Sequence, residues 1–371
     1  MSMERPSFVL FAGGGTGGHL FPGIAVAREL IRRRPSTTVM FAGAGRSLEV
    51  HVLEHEGFTL ESIRTGGLVG QSIGGFLRGL MLIPASLTDA ARLLRRQAPN
   101  LVVGLGGYSS GPVVLAAWQL GLPTLLLEQN AVPGMTNRLL ARVVHAAALS
   151  YDVTLPYFGT RGFVSGNPVR RGFFEAPPSR SLLTDLRLLV IGGSQGAHAI
   201  NVAMVEAAST ILASGRSIQL THQSGESDLD LVREGYRVVG LSARVEPFLD
   251  HMESEMANAD LIVCRAGATT LAEVAAAGRA AIVVPLPHAA HDHQRRNAAV
   301  LGEVGAVEVI DPLVLSGASL GAAIVSLAKD DARRVAVAEA SQRFSRPAAA
   351  GAIVDRMEQL LDPDRSGSSH C

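Results

Sequence analysis

The chain has 371 residues, 47% of them apolar and 5% aromatic, with 40 glycines. It is long for one core and natural for two α/β domains. Two cysteines, Cys264 and Cys371, exclude a disulfide framework or a thiolate metal site, and no apolar run reaches the roughly 18 residues of a spanning helix. The formal net charge is zero but unevenly spread: residues 1–168 hold 14 Arg and 9 acids, a net of +5, and the remainder carries −5. This fits either chance and solvated faces or a basic first half that meets an anionic partner such as a membrane surface.

Glu4 and Arg5 precede the apolar run Phe8–Ala12, so the chain opens on a buried strand and not on a signal peptide; a cytoplasmic protein is expected. Gly13 to Gly18 follow, with only Thr16 not glycine, and from Pro22 the residues Ile24, Ala25, Leu30 and Ile31 fall at helical spacing. A strand, glycine turn and helix bring backbone close to an anion and aim helix amides at it. His19 lies at the mouth of this turn, where the positive helix end favours neutral imidazole, a candidate general base. The same turn is also an ordinary α/β packing device, and the stretch alone fits both. A dinucleotide site fits poorly, because the second strand, Thr38–Ala42, ends in Gly43-Ala44-Gly45 without an acid.

Gly57–Arg64 reads as a third strand and Gly66–Gly75 as a loop. The cluster Phe76, Leu77, Leu80, Met81, Leu82 and Ile83, with Arg78 inside it and Pro84 closing it, is core helix or an interfacial membrane patch. Leu87–Arg96 continues as an amphipathic helix. Leu101–Leu105 is a buried strand that enters a second glycine turn, Gly106 to Pro112, before a helix at Val113–Leu120. Thr124–Leu127 is a strand ending in Glu128-Gln129-Asn130, polar side chains at the crevice end of an open sheet. Ala146–Ser150 and Arg161–Ser165 are the last strands of this half. Gly166 to Arg170 is a crossing point and Pro177-Pro178-Ser179 a loop.

The second half begins as the first did: strand Leu186–Ile191, turn Gly192-Gly193-Ser194-Gln195-Gly196, and a helix from Ala197. This repeat predicts two similar doubly wound domains. Ser217–Thr221, Tyr236–Gly240 and Leu261–Cys264 are read as strands. Arg265 to Thr270 opens a helix running through Leu271 to Gly278, with Glu273 one turn inside it. Ala281–Val284 is a strand leading into Pro285 to Gln294. Ala332–Leu361 is helical, broken in two at Pro347, and Arg365–Cys371 is a polar, disordered tail.

Seven stretches appear together in one order: GGTGGHLFPG (14–23), GLGGYSSGP (104–112), LEQNAVPGMTNR (127–138), GNPVR (166–170), GGSQGA (192–197), CRAGATTLAE (264–273) and DHQRRNA (292–298). On them the chain resembles glycosyltransferase family 28, the enzymes of peptidoglycan synthesis that add N-acetylglucosamine to lipid I. The resemblance implies a GT-B fold: two Rossmann-like, doubly wound parallel-sheet domains facing across a cleft. Residues 1–166 would form an acceptor and membrane-facing domain, with a C-terminal helix of about 345–362 packing back on it, and residues 167–344 a UDP-N-acetylglucosamine domain. The implied reaction is inverting transfer from UDP-N-acetylglucosamine to the C4 hydroxyl of the muramyl sugar of lipid I, giving lipid II and UDP.

The implied roles go residue by residue. His19 is the base, with Thr16, Gly17 and Gly18 around it. Gly14, Gly15, Gly106, Gly107, Tyr108 and Ser109 face the acceptor diphosphate. Ser194 lies near the UDP phosphate and Phe248 and Leu249 read the uracil edge. Ala268, Thr269, Thr270, Leu271 and Ala272 open the helix whose amides meet the α-phosphate, and Glu273 accepts both ribose hydroxyls; without the resemblance, Glu273 is an ordinary exposed helix acid. Gln294 and Asn297 contact sugar hydroxyls, and Asn130 and Arg170 are cleft positions. His288 and His293 are further cleft candidates without an assigned role. Phe76, Leu77, Leu80, Met81 and Trp118 form the membrane patch. Asp228-Leu229-Asp230 looks like a metal-binding pair but reads as solvated surface, and no metal or other cofactor is expected. The partners implied are UDP-N-acetylglucosamine, lipid I, an anionic membrane surface and other cell-wall and division proteins, with no nucleic acid, and the location is the cytoplasmic face of the plasma membrane. Two alternatives stay open: another UDP-sugar enzyme of this fold, such as a glycolipid glycosyltransferase or a 2-epimerase, and a non-catalytic UDP-sugar binder.

Overall fold

The computed structural model describes residues 6–64, 73–175, 185–192, 197–287 and 292–362, with backbone alone for 73–83. The chain divides into two compact units: Met1–Arg170 with Arg346–Cys371, and Arg171–Ser345.

The first unit alternates strand and helix: β1 (Phe8–Gly13), α1 (Gly17–Arg33), β2 (Thr38–Gly43), α2 (Ser47–His55), β3 (Thr59–Ser62), α3 (Ile73–Gln97), β4 (Leu101–Gly106), α4 (Ser110–Gln119), β5 (Thr124–Glu128), α5 (Met135–Leu140), β6 (Ala146–Leu149), α6 (Leu155–Phe158) and β7 (Gly162–Val164). Its sheet has the order β3-β2-β1-β4-β5-β6-β7, and every pairing is parallel. Parallel strands covered on both faces must be apolar on both, which is why they read as unbroken apolar runs. Val9 and Phe11 join one core with Ile24 and Leu30, while Leu10 and Ala12 join the other with Leu93, Leu94 and Val113.

Three boundaries differ from the sequence reading: α4 begins at Ser110, inside the expected Gly106–Pro112 turn, and two more lie in α1 and α3. α1 begins at Gly17, so the first glycine turn is only Gly13–Thr16, and Gly17, Gly18 and His19 form the first helical turn. α3 starts at Ile73, inside the expected loop, and runs through Pro84 without ending there. A mid-helix proline costs about 3 kcal/mol, and the burial of Ala90, Leu93 and Leu94 further along the same helix offsets it. The side chains of Phe76, Leu77, Arg78, Leu80 and Met81, and residues 65–72, lie outside the described residues.

The second unit holds β8 (Leu186–Ile191), α7 (His198–Ala213), β9 (Ile218–Gln223), α8 (Leu229–Val239), β10 (Ala243–Glu246), α9 (Met252–Asn258), β11 (Leu261–Cys264), α10 (Ala268–Ala277), β12 (Ala280–Val283), α11 (His293–Gly302), β13 (Glu308–Val309), α12 (Gly317–Lys329) and α13 (Asp331–Gln342). Its parallel sheet has the order β10-β9-β8-β11-β12-β13. Tyr236–Gly240, read as a strand, is the end of α8. Val232 and Tyr236, four residues apart, are its buried face, Val238 is 70% exposed, and Gly240 closes the helix at φ +80°. The strand of that region is β10, a few residues later.

The chain then returns to the first unit in α14 (Ala349–Leu361). Ile353, Val354 and Met357 enter the α1 side of that core, each contributing about 1.5–3 kcal/mol by burial. Arg33 Nη1 meets Asp355 at 2.5 Å and Arg34 Nη1 meets Asp362 at 3.0 Å.

Candidate functional site

In each sheet the strand order reverses once, between β1 and β4 in the first unit and between β8 and β11 in the second. Helices leave those two strands toward opposite faces, which opens a crevice at the carboxyl ends. The expected site residues fall into two groups around these two points.

The first group surrounds the Gly13–Thr16 turn. Gly13, Gly14 and Gly15 have φ of +116°, +146° and +63°. A Cβ on Gly13 would stand 2.6 Å from the Gly106 carbonyl oxygen, and one on Gly14 2.7 Å from Glu49 Oε1. Only glycine fits. Glu49, three residues into α2 and 1% exposed, accepts the Gly15 N–H on Oε1 at 2.6 Å and the Arg46 N–H on Oε2 at 2.8 Å. The Thr16 N–H turns back to the Gly14 oxygen at 2.6 Å. The Gly15 amide is thus taken by Glu49 on α2 and the Thr16 amide by the turn itself.

His19 sits half-buried on the first turn of α1, its Nδ1 3.1 Å from Gln129 Oε1. Gln129 follows β5 directly, and its Nε2 donates to the Leu105 carbonyl at 3.1 Å. Gly106, at φ +95°, passes so close that a Cβ there would lie 3.0 Å from His19 Nδ1. Next to these, Tyr108 is half-buried and Ser109 buried, and burial raises the Tyr108 pKa. Glu128 is buried beneath the 129–134 loop. It accepts from the Asn130 and Gly134 N–H groups at 3.0 Å and from Asn137 Nδ2 at 2.9 Å. Burial raises its pKa, against the opposing pull of these donors. Asn130 Nδ2 also leans on Glu128, at 3.4 Å. Arg170, at the end of the unit, lies 4.6 Å over the Phe21 ring on α1 and 3.8 Å from Glu56.

The second group lines the ends of β10, β11 and β12. Gly267 precedes α10, Ala268, Thr269 and Leu271 are buried and Thr270 and Ala272 half-buried. Glu273 is buried too, not the exposed helix acid of the alternative reading. Its charge and, above all, burial push the Cys264 thiol up to about 12, so Cys264 is an inert core thiol. Arg265 Nη1 reaches the Val284 and Pro285 carbonyls, both at 3.3 Å, and burial lowers its pKa. Asn297 is fully enclosed and donates Nδ2 to the Ala266 carbonyl at 3.3 Å, bracing the turn before α10. Gln294 Oε1 accepts the Leu286 N–H at 2.9 Å. His293 is half-buried at the start of α11, Phe248 is half-buried and Leu249 buried between β10 and α9. Ser194 and His288 lie outside the described residues.

Asp228 is not solvated surface. It accepts from His198 Nδ1 at 3.0 Å and from Asn201 Nδ2 at 2.8 Å. Asn201 Oδ1 in turn meets His222 Nε2 at 3.0 Å, and the Tyr236 hydroxyl meets His222 Nδ1 at 2.7 Å. Burial depresses the His222 pKa to about 3. Among the described residues no three metal-ligating side chains gather. Glu128 and Gln129 read in sequence as polar side chains at the crevice end of the sheet, without a role, and Glu49 is not singled out there. The signal for Glu49, an acid three residues after the start of a helix, is that of any N-terminal cap.

Residues 187–353 match the glycosyltransferase family 28 C-terminal domain, and residues 9–149 match its N-terminal domain. A protein of Anaeromyxobacter dehalogenans, named UDP-N-acetylglucosamine–N-acetylmuramyl-(pentapeptide) pyrophosphoryl-undecaprenol N-acetylglucosamine transferase, is 44% identical over 355 residues, 95% of this chain and 93% of that protein. One of the same name from Geobacter sulfurreducens is 44% identical over 94% of this chain and 97% of its own length. The crystal structure of Acinetobacter baumannii MurG superposes with a TM-score of 0.75 at 29% identity, covering 95% of this chain and all of that one. A UDP-N-acetylglucosamine 2-epimerase shares the fold at a TM-score of 0.66, with 11% identity.

Proposed function

The chain belongs to glycosyltransferase family 28, and from that premise we propose that it transfers N-acetylglucosamine from UDP-N-acetylglucosamine to N-acetylmuramyl-(pentapeptide) pyrophosphoryl-undecaprenol. The observation that carries this is the 44% identity over 95% of the chain to a relative of that name. The fold is GT-B, and the two groups of residues at the sheet switch points supply the parts that such a transfer needs.

The acceptor hydroxyl must lose a proton as it attacks the anomeric carbon, and the departing diphosphate must be stabilised. His19, on the positive end of α1, takes the proton, and attack from the face opposite the leaving UDP inverts the centre. The amides opening α10 meet the diphosphate, and Glu273, one turn further, accepts the two ribose hydroxyls. Glu128 and Asn297 hold the loops that carry the neighbouring polar groups. The acceptor's polyprenyl tail stays in a bilayer, so the enzyme works peripherally at an anionic membrane surface. Two features favour this: the basic first 168 residues and Trp118, 43% exposed on α4. Among the described residues no helix is long and apolar enough to cross a membrane.

UDP release from UDP-N-acetylglucosamine, measured with and without a lipid I analogue, tests the reading. Release that depends on the acceptor, with a disaccharide product, supports it. Release or epimerisation without acceptor overturns it.

A further inference from the structure

We propose that Gln129 is a positioning residue that sets the tautomer of His19, holding the ring proton on Nδ1 so that Nε2 is the atom that accepts the hydroxyl proton. The proposal rests on the reading of His19 as the base. Gln129 is 2% exposed and can hardly turn. Its Nε2 faces the Leu105 carbonyl at 3.1 Å. The flipped amide would set two carbonyl oxygens against each other there, so the bond to Leu105 fixes which end of the amide faces the histidine. That end is Oε1, an acceptor without a hydrogen, 3.1 Å from His19 Nδ1. Nδ1 must then be the donor, and the neutral ring carries its lone pair on Nε2.

Three neighbouring strands cooperate in this. β1 leads to His19, β5 leads to Gln129, and β4 between them ends in Gly106, whose missing side chain lets the ring approach. A Cβ at Gly106 would stand 3.0 Å from Nδ1 and 3.7 Å from Gln129 Oε1. The partner is a neutral amide and not a carboxylate, so it fixes which ring nitrogen carries the proton without placing a charge beside the ring. In the transfer, the acceptor O–H proton passes to Nε2 as its oxygen bonds to the anomeric carbon, and the bond to the UDP oxygen breaks with its electron pair leaving on UDP. The imidazolium so formed keeps its Nδ1–H on Gln129.

The test joins a spectroscopic and a kinetic measurement. In ¹⁵N-histidine-labelled protein, with the His19 signals assigned by their loss in His19→Ala, the wild-type ring should show a protonated Nδ1 and an unprotonated Nε2. Gln129→Leu should release the proton to Nε2 and lower kcat about 10- to 100-fold, part of the usual general-base contribution, with the donor KM unchanged. Gln129→Glu should keep Nδ1–H, recover most of kcat at high pH, and move the acidic limb of the kcat profile upward by about one pH unit or more, as a carboxylate beside imidazolium requires. A wild-type ring protonated on Nε2 overturns the proposal even if Gln129→Leu does not fold. So does a Gln129→Leu enzyme with wild-type kcat when His19→Ala is inactive. Turnover by His19→Ala at the wild-type rate sinks instead the reading of His19 as base, and leaves the tautomer measurement standing.

Discussion

Replacing Glu49 should loosen the glycine turn from beneath. Its carboxylate accepts from two backbone donors, the Gly15 N–H at 2.6 Å and the Arg46 N–H at 2.8 Å. Both bonds are to an ionised acceptor, worth about 1.5–3 kcal/mol each in a buried setting. Arg46 is exposed, so water recovers much of its bond in Glu49→Ala, whereas the Gly15 amide is half-buried and recovers less. The net loss should be about 2–4 kcal/mol. For a unit of this size that corresponds to a fall in Tm of roughly 5–15 °C. Glu49→Gln keeps one oxygen for Gly15 and presents an NH2 to Arg46, so it should lose about half as much. Urea unfolding of the three proteins, followed by far-UV circular dichroism, measures this order. kcat should fall along with stability at assay temperature, because His19 is carried on the helix that the turn begins. An Ala variant within about 0.5 kcal/mol of wild type, the usual range of a neutral surface change, would refute the idea that this carboxylate holds the turn.

His19→Ala should lower kcat by about 10²- to 10⁴-fold with donor binding intact; a near wild-type kcat in acceptor-dependent UDP release removes it as the base. Glu273→Ala should raise the donor KM about 10- to 100-fold, the loss of charge-assisted bonds to a diol less what water restores, and an unchanged KM leaves Glu273 a structural acid. His222 has its pKa lowered to about 3 by burial, so below about pH 6.5 the unfolded chain binds a proton that the folded one refuses. Its contribution is complete above pH 6.5 and is lost on acidification toward pH 3, at about 1.4 kcal/mol per pH unit. Denaturation midpoints between pH 7 and 5 should therefore fall less steeply in His222→Gln than in wild type, and parallel slopes would contradict this. Trp118→Ser should weaken sedimentation with anionic vesicles while turnover of a short-chain, water-soluble acceptor stays unaltered; equal vesicle binding places the membrane contact elsewhere.

The parallel strands were legible because burial on both faces demands unbroken apolar runs, and Phe8–Gly13, Leu101–Gly106 and Leu186–Ile191 each lie within a residue or two of where those runs place them. The glycine turns were legible for a related reason: Gly13, Gly14 and Gly106 take backbone angles that only glycine holds at little cost, so the residue type announces the geometry. Local pattern failed where competing residues belong to both periods. Tyr236–Gly240 is apolar and β-branched enough for a strand, yet burial of Val232 and Tyr236 on one side makes it helix. Pro84 ends most helices, but packing along α3 carries this one through. The supports of the site were the least visible part. Glu49 reaches Gly15 across 34 residues and Gln129 reaches His19 across 110. Such contacts are made by the strand order of the sheet, which sets β1 beside β2 and β4 and β4 beside β5. The sequence by itself determined which strands, turns and reactive side chains exist; only the tertiary structure decided which carboxylate holds which turn and which amide faces which imidazole nitrogen, because those depend on how distant segments close around a common sheet.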